Sequence, residues 1–351
     1  MDGRLRDGPD GPEVVVGGNS RQRFHDSGGY GRPLDGNEVA LAPVEAAHLL
    51  FRGDLDAVRD GEERLDLRGL LRLTGGLRAF VVHRDLRDRG FYCSPARPGW
   101  TPGDADEGCD VVVYPRGTGP GDGAVAYRVR VVGERDPLSV ADLAADPTAV
   151  AVVDEEGEPT YFECALESPG GDGDRTPASL PDGVAADLLA DRAVAWDPPA
   201  ALYERGFFGQ RLAGRSAAGG PLQLSLVEAA HLASEGALAL DPERARARGR
   251  AVEGERFDRR LRVYRAMRAA GAVPKSGFKF GADFRAYDSF TAVDEMGHSE
   301  RLVRAVERSD RIQPRELSLD VRLAGGVRKR MVFAATGPES VEWLAATRLT
   351  P

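Results

Sequence analysis

Short apolar runs recur along the whole chain, separated by glycine, proline and charged residues. Early in each half, a nearly continuous apolar run predicts a strand, at Glu13–Val16 and at Ala193–Trp196. Later in the second half, apolar residues three apart predict a helix over Asp258–Ala270, with Gly271 in the position of a C-terminal cap. Helical and strand periods therefore alternate, and the chain is predicted to have a mixed α/β fold.

After Gly271 the pattern predicts mainly strands, because apolar and polar positions alternate. These strands are expected around Phe278 and Phe280, around Phe284 and Ala286, and over Val327–Ala334 and Val341–Leu344, while Ser299–Glu307 fits a strand or a helix, with a strand favoured. Leu317–Leu323 also alternates, but Pro314 before it and Gly325 after it are typical of helix ends. A short helix is therefore predicted between the last strands.

An internal repeat organises the chain. The segment Val44–Leu50 recurs in the second half as Val227–Ala233. Weaker matches keep the same order: Gly29–Arg32 with Phe207–Gln210, Leu77–Phe80 with Leu261–Tyr264, Asp110–Tyr114 with Asp283–Tyr287, and Leu138–Val140 with Leu317–Leu319. Matches in one order at similar separations indicate a duplicated unit. His48 and His231 occupy one helix position in both copies, so we interpret them as structural.

The stretch Pro169–Pro177 is rich in glycine, proline and aspartate and is the natural linker between the copies. We therefore predict two tandem homologous repeats of α/β fold, each with a small N-terminal and a C-terminal subdomain. The predicted bounds are 1–168 for the first repeat (subdomains 1–75 and 76–168), 169–183 for the linker, and 184–351 for the second repeat (subdomains 184–257 and 258–351).

Composition excludes several classes of protein. The 351 residues, 42% of them apolar, suffice for more than one domain. No apolar run reaches about 18 residues and the N-terminus has no apolar segment, so neither a membrane span nor a secretory signal is expected. Three scattered cysteines fit a reduced, cytoplasmic protein without a disulfide framework or zinc site. The net charge of −9 argues against a general polyanion binder, but not against a local basic site.

Tyr287, His298 and Lys329 are the candidates for chemistry, because together they supply a base, an acid and a cation. An RNA 2′-hydroxyl attacks its own 3′-phosphate when one group removes its proton, another protonates the leaving 5′-oxygen, and a cation stabilises the added charge. Each residue alone is more typical of a packed tyrosine, a surface histidine or a solvated lysine. The first repeat keeps Tyr114 but has no corresponding histidine, and it has Thr148 near the place of Lys329.

The block Gly277–Phe284, followed by Tyr287, His298 and Val327–Lys329, resembles the archaeal tRNA-splicing (tRNA-intron) endonucleases in their duplicated, homodimeric form. The resemblance implies a nuclease-like C-terminal subdomain with Tyr287 as general base, His298 as general acid and Lys329 as the transition-state cation. It also implies cleavage of precursor tRNA at bulge–helix–bulge splice sites without metal or cofactor. The implied products carry 2′,3′-cyclic phosphate and 5′-hydroxyl ends.

The resemblance implies two further sets of residues. Arg322 and Arg348 would hold a bulged base between them by cation–π stacking, or they are ordinary surface arginines. An acidic loop of the non-catalytic repeat would dock into the catalytic repeat of a second copy, or it is a solvated β-turn. Its residues are Asp154, Glu155, Glu156 and Glu158. The expected partners are therefore precursor tRNA and a second copy of the chain.

Two other functions compete with this one. A metal-dependent nuclease would use carboxylates such as Asp283, Asp294 and Glu295, but the chain has no Glu-x-Lys sequence to complete such a site. A non-catalytic RNA-binding or assembly subunit would not need the set of Tyr287, His298 and Lys329 in its second repeat. Both alternatives make a sharp prediction, because cleavage in EDTA excludes the first and cleavage of any kind excludes the second.

Overall fold

The computed structural model of the protein describes residues 1–100, 108–145, 149–170, 179–215, 217–288, 290–295, 297–338 and 340–351. The chain forms two compact units. Unit 1 comprises Met1–Cys164, Ile312–Leu317 and Arg348–Pro351, and unit 2 comprises Ala165–Arg311 and Ser318–Thr347. Thr148 and positions 171–178 of the expected linker lie outside the described residues. The bounds of repeats, linker and subdomains given above stay a prediction.

Strands and helices alternate throughout the described residues. In the first half the strands are β1 (Asp2–Gly8), β2 (Gly11–Val16), β3 (Arg32–Pro33), β4 (Val39–Leu41), β5 (Ala57–Asp60), β6 (Glu63–Leu65), β7 (Cys93–Pro95), β8 (Val111–Val113), β9 (Tyr127–Gly133), β10 (Leu138–Ser139), β11 (Ala149–Val153) and β12 (Pro159–Leu166). Its α-helices are α1 (Pro43–Arg52), α2 (Leu67–Thr74), α3 (Leu77–Asp88) and α4 (Val140–Ala144).

The second half continues this alternation. Its strands are β13 (Ala186–Leu188), β14 (Arg192–Ala195), β15 (Gln210–Arg211), β16 (Leu222–Ser225), β17 (Val273–Ser276), β18 (Phe284–Tyr287), β19 (Arg301–Glu307), β20 (Arg311–Ile312), β21 (Arg330–Thr336) and β22 (Val341–Leu349). Its α-helices are α5 (Ala200–Glu204), α6 (Leu226–Ser234), α7 (Pro242–Glu253), α8 (Arg256–Ala269) and α9 (Pro314–Gly326). None of the helices in the described ranges is long and apolar enough to cross a membrane.

Each half begins with four antiparallel strands followed by a buried helix, and in the first half β5, parallel to β1, and β6 extend this sheet to six strands. The strand order β1-β2-β4-β3 in the first half corresponds to β13-β14-β16-β15 in the second. The repeated sequence segments form helices α1 and α6, as predicted. In both helices a buried glutamate of the first turn accepts two backbone N–H groups. The donors are Gly31 and Ala42 to Glu45 (2.8 and 2.9 Å), and Gly209 and Ser225 to Glu228 (2.9 Å each).

The rear part of each half carries strands in one shared order, β7-β8-β9-β11-β12 in the first and β17-β18-β19-β21-β22 in the second. In both runs the third and fourth strands are parallel and the other neighbours are antiparallel. A shared order with a shared pattern of direction is the mark of a duplication. The predicted internal repeat and the mixed α/β fold class are therefore confirmed.

Helix α8 covers the rear sheet of the second half. Its apolar stripe of Leu261, Tyr264 and Met267 is buried in the core of unit 2, which explains why the threefold spacing predicted a helix. The chain leaves the helix through Gly271, whose φ of +83° lies in the left-handed region that glycine adopts without strain. Helix α9 confirms the short helix that proline and glycine punctuation predicted.

One predicted strand is wrong. Phe278–Phe280 forms a single 3₁₀ turn that joins β17 to β18. The N–H of Phe280 donates to the carbonyl of Gly277 (2.8 Å), and Gly281, with φ +69°, turns the chain back. Two glycines therefore override the alternation of the two phenylalanines, and Phe278 is left 88% exposed. The strand expected from Val327 also begins later, at Arg330, because the preceding residues form the turn after α9.

Candidate active site

Strand register brings three strand ends to one edge of the unit 2 sheet. Ala286 of β18 pairs with Arg301 of β19, and Arg301 pairs with Arg330 of β21. The next row outward consists of Tyr287, Glu300 and Lys329. Neighbouring strands lie about 4.8 Å apart, so these three residues lie side by side at the edge of the sheet, where the N–H of Glu300 donates to the carbonyl of Ala286 (3.0 Å). Residues far apart in sequence therefore meet in one row.

Tyr287 is the most enclosed member of this row. Its side chain is 4% exposed. Its ring packs edge-on against Phe207 (5.9 Å between centroids) and Phe290 (6.4 Å). These aromatic contacts fix the direction of the ring. Tyr287 is therefore packed, as expected of a lone tyrosine, and the packing holds its phenol at a defined place on the sheet edge.

Lys329 reaches back over the edge. Its ammonium donates to the carbonyl of Ser299, and its Nζ lies 5.9 Å from the ring centroid of Phe280. Partial burial lowers the pKa of Lys329, the Glu300 carboxylate opposes that shift, and the Arg285 guanidinium adds to it. Lys329 is therefore a half-buried cation held against the start of β19, rather than a fully solvated one.

His298 lies in the connection between β18 and β19, two residues before Glu300 of the row. Its side chain is exposed, and it has no hydrogen-bond partner in the part of the chain that the structure describes. The imidazole is therefore open to a ligand from solvent. The sheet edge brings Tyr287 and Lys329 into one row, and it places the backbone of His298 beside them.

A buried ion pair anchors the backbone below this edge. Arg301 is completely buried and contacts Asp288 (2.7 Å from Nε) and Glu167 (2.9 Å). It also donates to the carbonyls of Ser168 (3.3 Å) and Pro169 (2.9 Å). Asp288 directly follows Tyr287, and burial raises the pKa of this carboxyl while Arg301 opposes the shift. The pair therefore fixes the chain on the carboxyl side of the candidate base.

The two arginines predicted to bind a bulged base are exposed and belong to different elements. Arg322 is exposed on α9 and Arg348 is exposed near the end of β22. Neither guanidinium has a hydrogen bond or ion pair within the described residues. Both are therefore available, and their proposed joint role in base binding stays a prediction.

The acidic loop is a tight hairpin turn between β11 and β12. The Asp154 carboxylate accepts the N–H groups of Glu156 (3.0 Å) and Glu158 (2.8 Å), so this residue builds the turn. Glu155 pairs with Arg135 (2.7 Å), and both are well exposed. The carboxylates of Glu156 and Glu158 are exposed and have no partner among the described residues. Only these two are therefore free for an external contact.

The two repeated histidines are buried in aromatic clusters, as expected of structural residues. His48 accepts or donates a hydrogen bond with the hydroxyl of Tyr30 (3.0 Å). His231 packs between Phe208 and Tyr264, with ring centroids 6.0 and 5.5 Å away. Burial lowers the pKa of each imidazole to about 4, so both are neutral at ordinary pH.

The sequence analysis did not identify three charged residues in or beside the row: Arg285, Glu300 and Arg301. Each looks like an ordinary charged residue in a polar stretch, and only the pairing of β18, β19 and β21 shows that they surround Tyr287 and Lys329. One signal was present for Arg301, because a charged residue opens the apolar run of β19 at a position that alternation predicts to be buried.

The fold and this edge define a class of protein: a duplicated α/β chain in which one copy carries the candidate acid–base residues. Two family models match the chain. The tRNA intron endonuclease catalytic C-terminal domain matches residues 257–343. The tRNA intron endonuclease N-terminal domain matches twice, at residues 9–71 and 184–248. The double match agrees with the duplication seen in the sheets.

Full-length relatives carry the name tRNA-splicing endonuclease. The relative from Haloferax volcanii is 57% identical and the one from Halobacterium salinarum 53% identical, each with 100% of both chains covered. The relative from Methanosarcina acetivorans is 35% identical over 97% of this chain and 98% of its own. The chain belongs to the tRNA intron endonuclease family.

Proposed function

We propose that the protein cuts precursor tRNA at bulge–helix–bulge splice sites without a metal ion, leaving 2′,3′-cyclic phosphate and 5′-hydroxyl ends. As a member of its family, the protein is an endonuclease that acts on tRNA introns. One observation carries the finer proposal. Tyr287 and Lys329 belong to one row of the sheet edge, and the exposed His298 lies two residues from that row.

The three side chains supply every proton and charge that the reaction needs. Tyr287, acting as the phenolate, takes the proton of the 2′-hydroxyl and becomes a phenol, and the 2′-oxygen attacks the adjacent phosphorus. As the new P–O2′ bond forms, the P–O5′ bond breaks, and His298 gives its proton to the leaving 5′-oxygen. Lys329 stabilises the negative charge that accumulates on the non-bridging oxygens. The unpaired nucleotides of a bulge allow the in-line geometry of this attack.

Substrate binding and assembly extend the proposal. Arg322 and Arg348 stack on a bulged base, which is supported by their exposure and by the lack of ion-pair partners in the described ranges. The acidic turn docks into the catalytic repeat of a second copy, supported by the free carboxylates of Glu156 and Glu158. A cytoplasmic homodimer with two catalytic repeats then matches a substrate that is cut twice.

The test is incubation with a bulge–helix–bulge RNA in EDTA, followed by analysis of the product ends. We expect full activity, and a cyclic phosphate on the 5′ fragment. His298→Ala and Lys329→Ala lower the saturating single-turnover rate at least ~100-fold, because each removes a transition-state interaction. Lys279→Ala, which removes an exposed lysine of the same unit, changes that rate less than about threefold.

Two results contradict the proposal. Loss of cleavage in EDTA, restored by magnesium, indicates a metal-dependent nuclease instead. Wild-type activity in His298→Ala would show that His298 is not the general acid, whatever ends the products carry.

A further inference from the structure

One cross-strand pair distinguishes the catalytic repeat from its sister. On β17 and β18, Lys275 pairs with Arg285. At the equivalent pair of the first repeat, between β7 and β8, Ser94 pairs with Val112. The fold is the same in both places, so it does not require two cations side by side. Like charges directly opposite each other destabilise a sheet, and this pair therefore calls for a reason beyond folding.

Lys275 is neutralised within the protein. Its ammonium contacts the Glu228 carboxylate (3.0 Å) and the carbonyls of Phe207 (3.1 Å) and Gly209 (2.7 Å). Burial lowers the pKa of Lys275, and Glu228 opposes that shift. Lys275 and Glu228 therefore form a closed, buried ion pair with no charge left for a ligand.

Arg285 is not neutralised by any described residue. No described carboxylate or carbonyl accepts a hydrogen bond from its guanidinium, and its Nε is buried without a partner. Its guanidinium carbon lies 5.9 Å from the centroid of the Tyr287 ring. A buried N–H donor without a partner costs folding free energy, and a bound ligand that accepts its hydrogen bond would offset that cost.

A cavity of about 410 Å³ beside Arg285 is lined by more cations than acids. Its charged lining consists of the cations Arg192, Arg260, Lys275 and Arg285 and the acids Asp191, Glu228 and Glu253. Three of the cations each pair with one of these acids. The surplus positive charge of the cavity is therefore that of Arg285.

The surplus charge adjoins the candidate site. Arg285 precedes Tyr287 by two residues and shares its face of β18, and it also acts on Lys329, whose pKa it lowers. Two cations near one another, with Glu300 as the nearby acid, favour the binding of an anion. Two residues along a strand span about 7 Å, so Arg285 is displaced from the row that holds Lys329.

We propose that Arg285 binds a backbone phosphate of the substrate RNA that flanks the cleaved one, an inference that rests on the proposed function. A guanidinium offers two parallel N–H donors that match two phosphate oxygens. The contact is made equally in the ground state and in the transition state, so it contributes to affinity and not to the rate at saturation.

The experiment measures binding apart from cleavage. The probe is a bulge–helix–bulge RNA with 2′-deoxyribose at each cleavage nucleotide, which removes the attacking hydroxyl. Affinity is measured over a fourfold range of KCl for wild type, Arg285→Ala, Arg285→Lys and Arg250→Ala. Arg250 is an exposed arginine of α7 that pairs with Asp258 outside the cavity, so its variant controls for the same loss of net charge. Thermal unfolding of each variant monitors the fold.

We expect Arg285→Ala to weaken binding about 10-fold and to flatten the slope of log affinity against log salt by about 0.7, the loss of one phosphate contact. Arg285→Lys recovers the slope and part of the affinity, and Arg250→Ala resembles wild type. With cleavable RNA, the saturating rate of Arg285→Ala stays within about threefold of wild type. A substrate series with one uncharged methylphosphonate at a time identifies the phosphate, because neutralising it weakens wild type but not Arg285→Ala.

Failure of the phosphate contact is distinguishable from failure of the proposed function. If wild type cleaves the RNA and His298→Ala does not, but Arg285→Ala binds with the slope of Arg250→Ala, the phosphate contact is wrong while the proposed function stands. A reduced saturating rate with unchanged affinity also overturns the contact, and points to an effect on Tyr287. If wild type neither binds nor cuts this RNA, the proposed function fails and the inference with it.

Discussion

Glu45 and Glu228 occupy one position in the two repeats, yet their pKa values shift in opposite directions. Burial raises the pKa of Glu45 to about 7, although the N–H groups of Gly31 and Ala42 oppose the shift. At Glu228 burial acts the same way, but the charge of Lys275 and the hydrogen bonds from Ser225, Gly209 and Lys275 together outweigh it, and the pKa is lowered. Both glutamates accept two backbone N–H groups, so the paired lysine is what distinguishes the surroundings of Glu228.

The two glutamine variants are expected to respond to pH in opposite ways. A raised folded pKa gives stability below the unfolded value near 4.5 that is lost as pH rises through about 7. Glu45→Gln therefore gains stability relative to wild type between pH 5 and pH 8, on the order of 2–3 kcal/mol. Glu228→Gln costs about 3–5 kcal/mol throughout pH 5–8, because it leaves Lys275 buried and unpaired, and the cost falls only below pH 4.5, where Glu228 of the wild type takes up a proton.

Calorimetric unfolding of both variants from about pH 3 to pH 8 checks the prediction, and each variant is the other's control. Parallel pH curves for the two would contradict it, since they would mean that Lys275 does not set the difference.

At the scale of elements, β19 begins at the point where the sheet meets the candidate site. Arg301, its first residue, is buried and is bound by Asp288 and Glu167, while the preceding Glu300 belongs to the row. The buried ion pair therefore holds the strand end directly beside the row.

We expect Arg301→Met to destabilise unit 2 by about 3–5 kcal/mol, because the buried Asp288 carboxylate loses its cation and Glu167 keeps only the more distant Arg330 (3.8 Å). Arg308→Met, which breaks an exposed pair with Glu342 just after the same strand, costs less than about 1 kcal/mol. Denaturant unfolding of the two variants gives the comparison. Equal costs would show that the buried pair does not hold the strand end.

At the scale of the whole molecule, the duplication is the feature that sequence reasoning recovered best. The repeated Val44–Leu50 segment and the apolar spacing in α8 are local signals, and both predicted the correct helices. The alternation of Phe278 and Phe280 predicted a strand wrongly, because the two flanking glycines favour a turn there. Arg285 was out of reach, because its importance depends on which residue lies across the strand and on what does not pair with it.

Assembly makes a prediction at this scale. The double variant Glu156→Lys, Glu158→Lys is expected to weaken self-association at least ~10-fold and to reduce cleavage, because it reverses the free charges of the acidic turn. Sedimentation over a range of protein concentration measures the effect. Asp154 is left intact, since its carboxylate forms the turn.

The double variant Glu62→Lys, Glu63→Lys is the control, because it makes the same change of charge at another exposed hairpin of the first repeat. Association weakened equally in both would indicate a general effect of net charge. An unchanged sedimentation profile in the first variant would count against the docking turn.

The two states of the repeated glutamate also bear on how the halves diverged. A buried carboxylate that loses its lysine can take up a proton from solvent. The proton then neutralises the carboxylate in place of the lysine. A substitution of the lysine therefore does not require a second substitution of its glutamate partner. A duplicated gene can therefore pass from one state to the other through single substitutions, with a folded protein at every step.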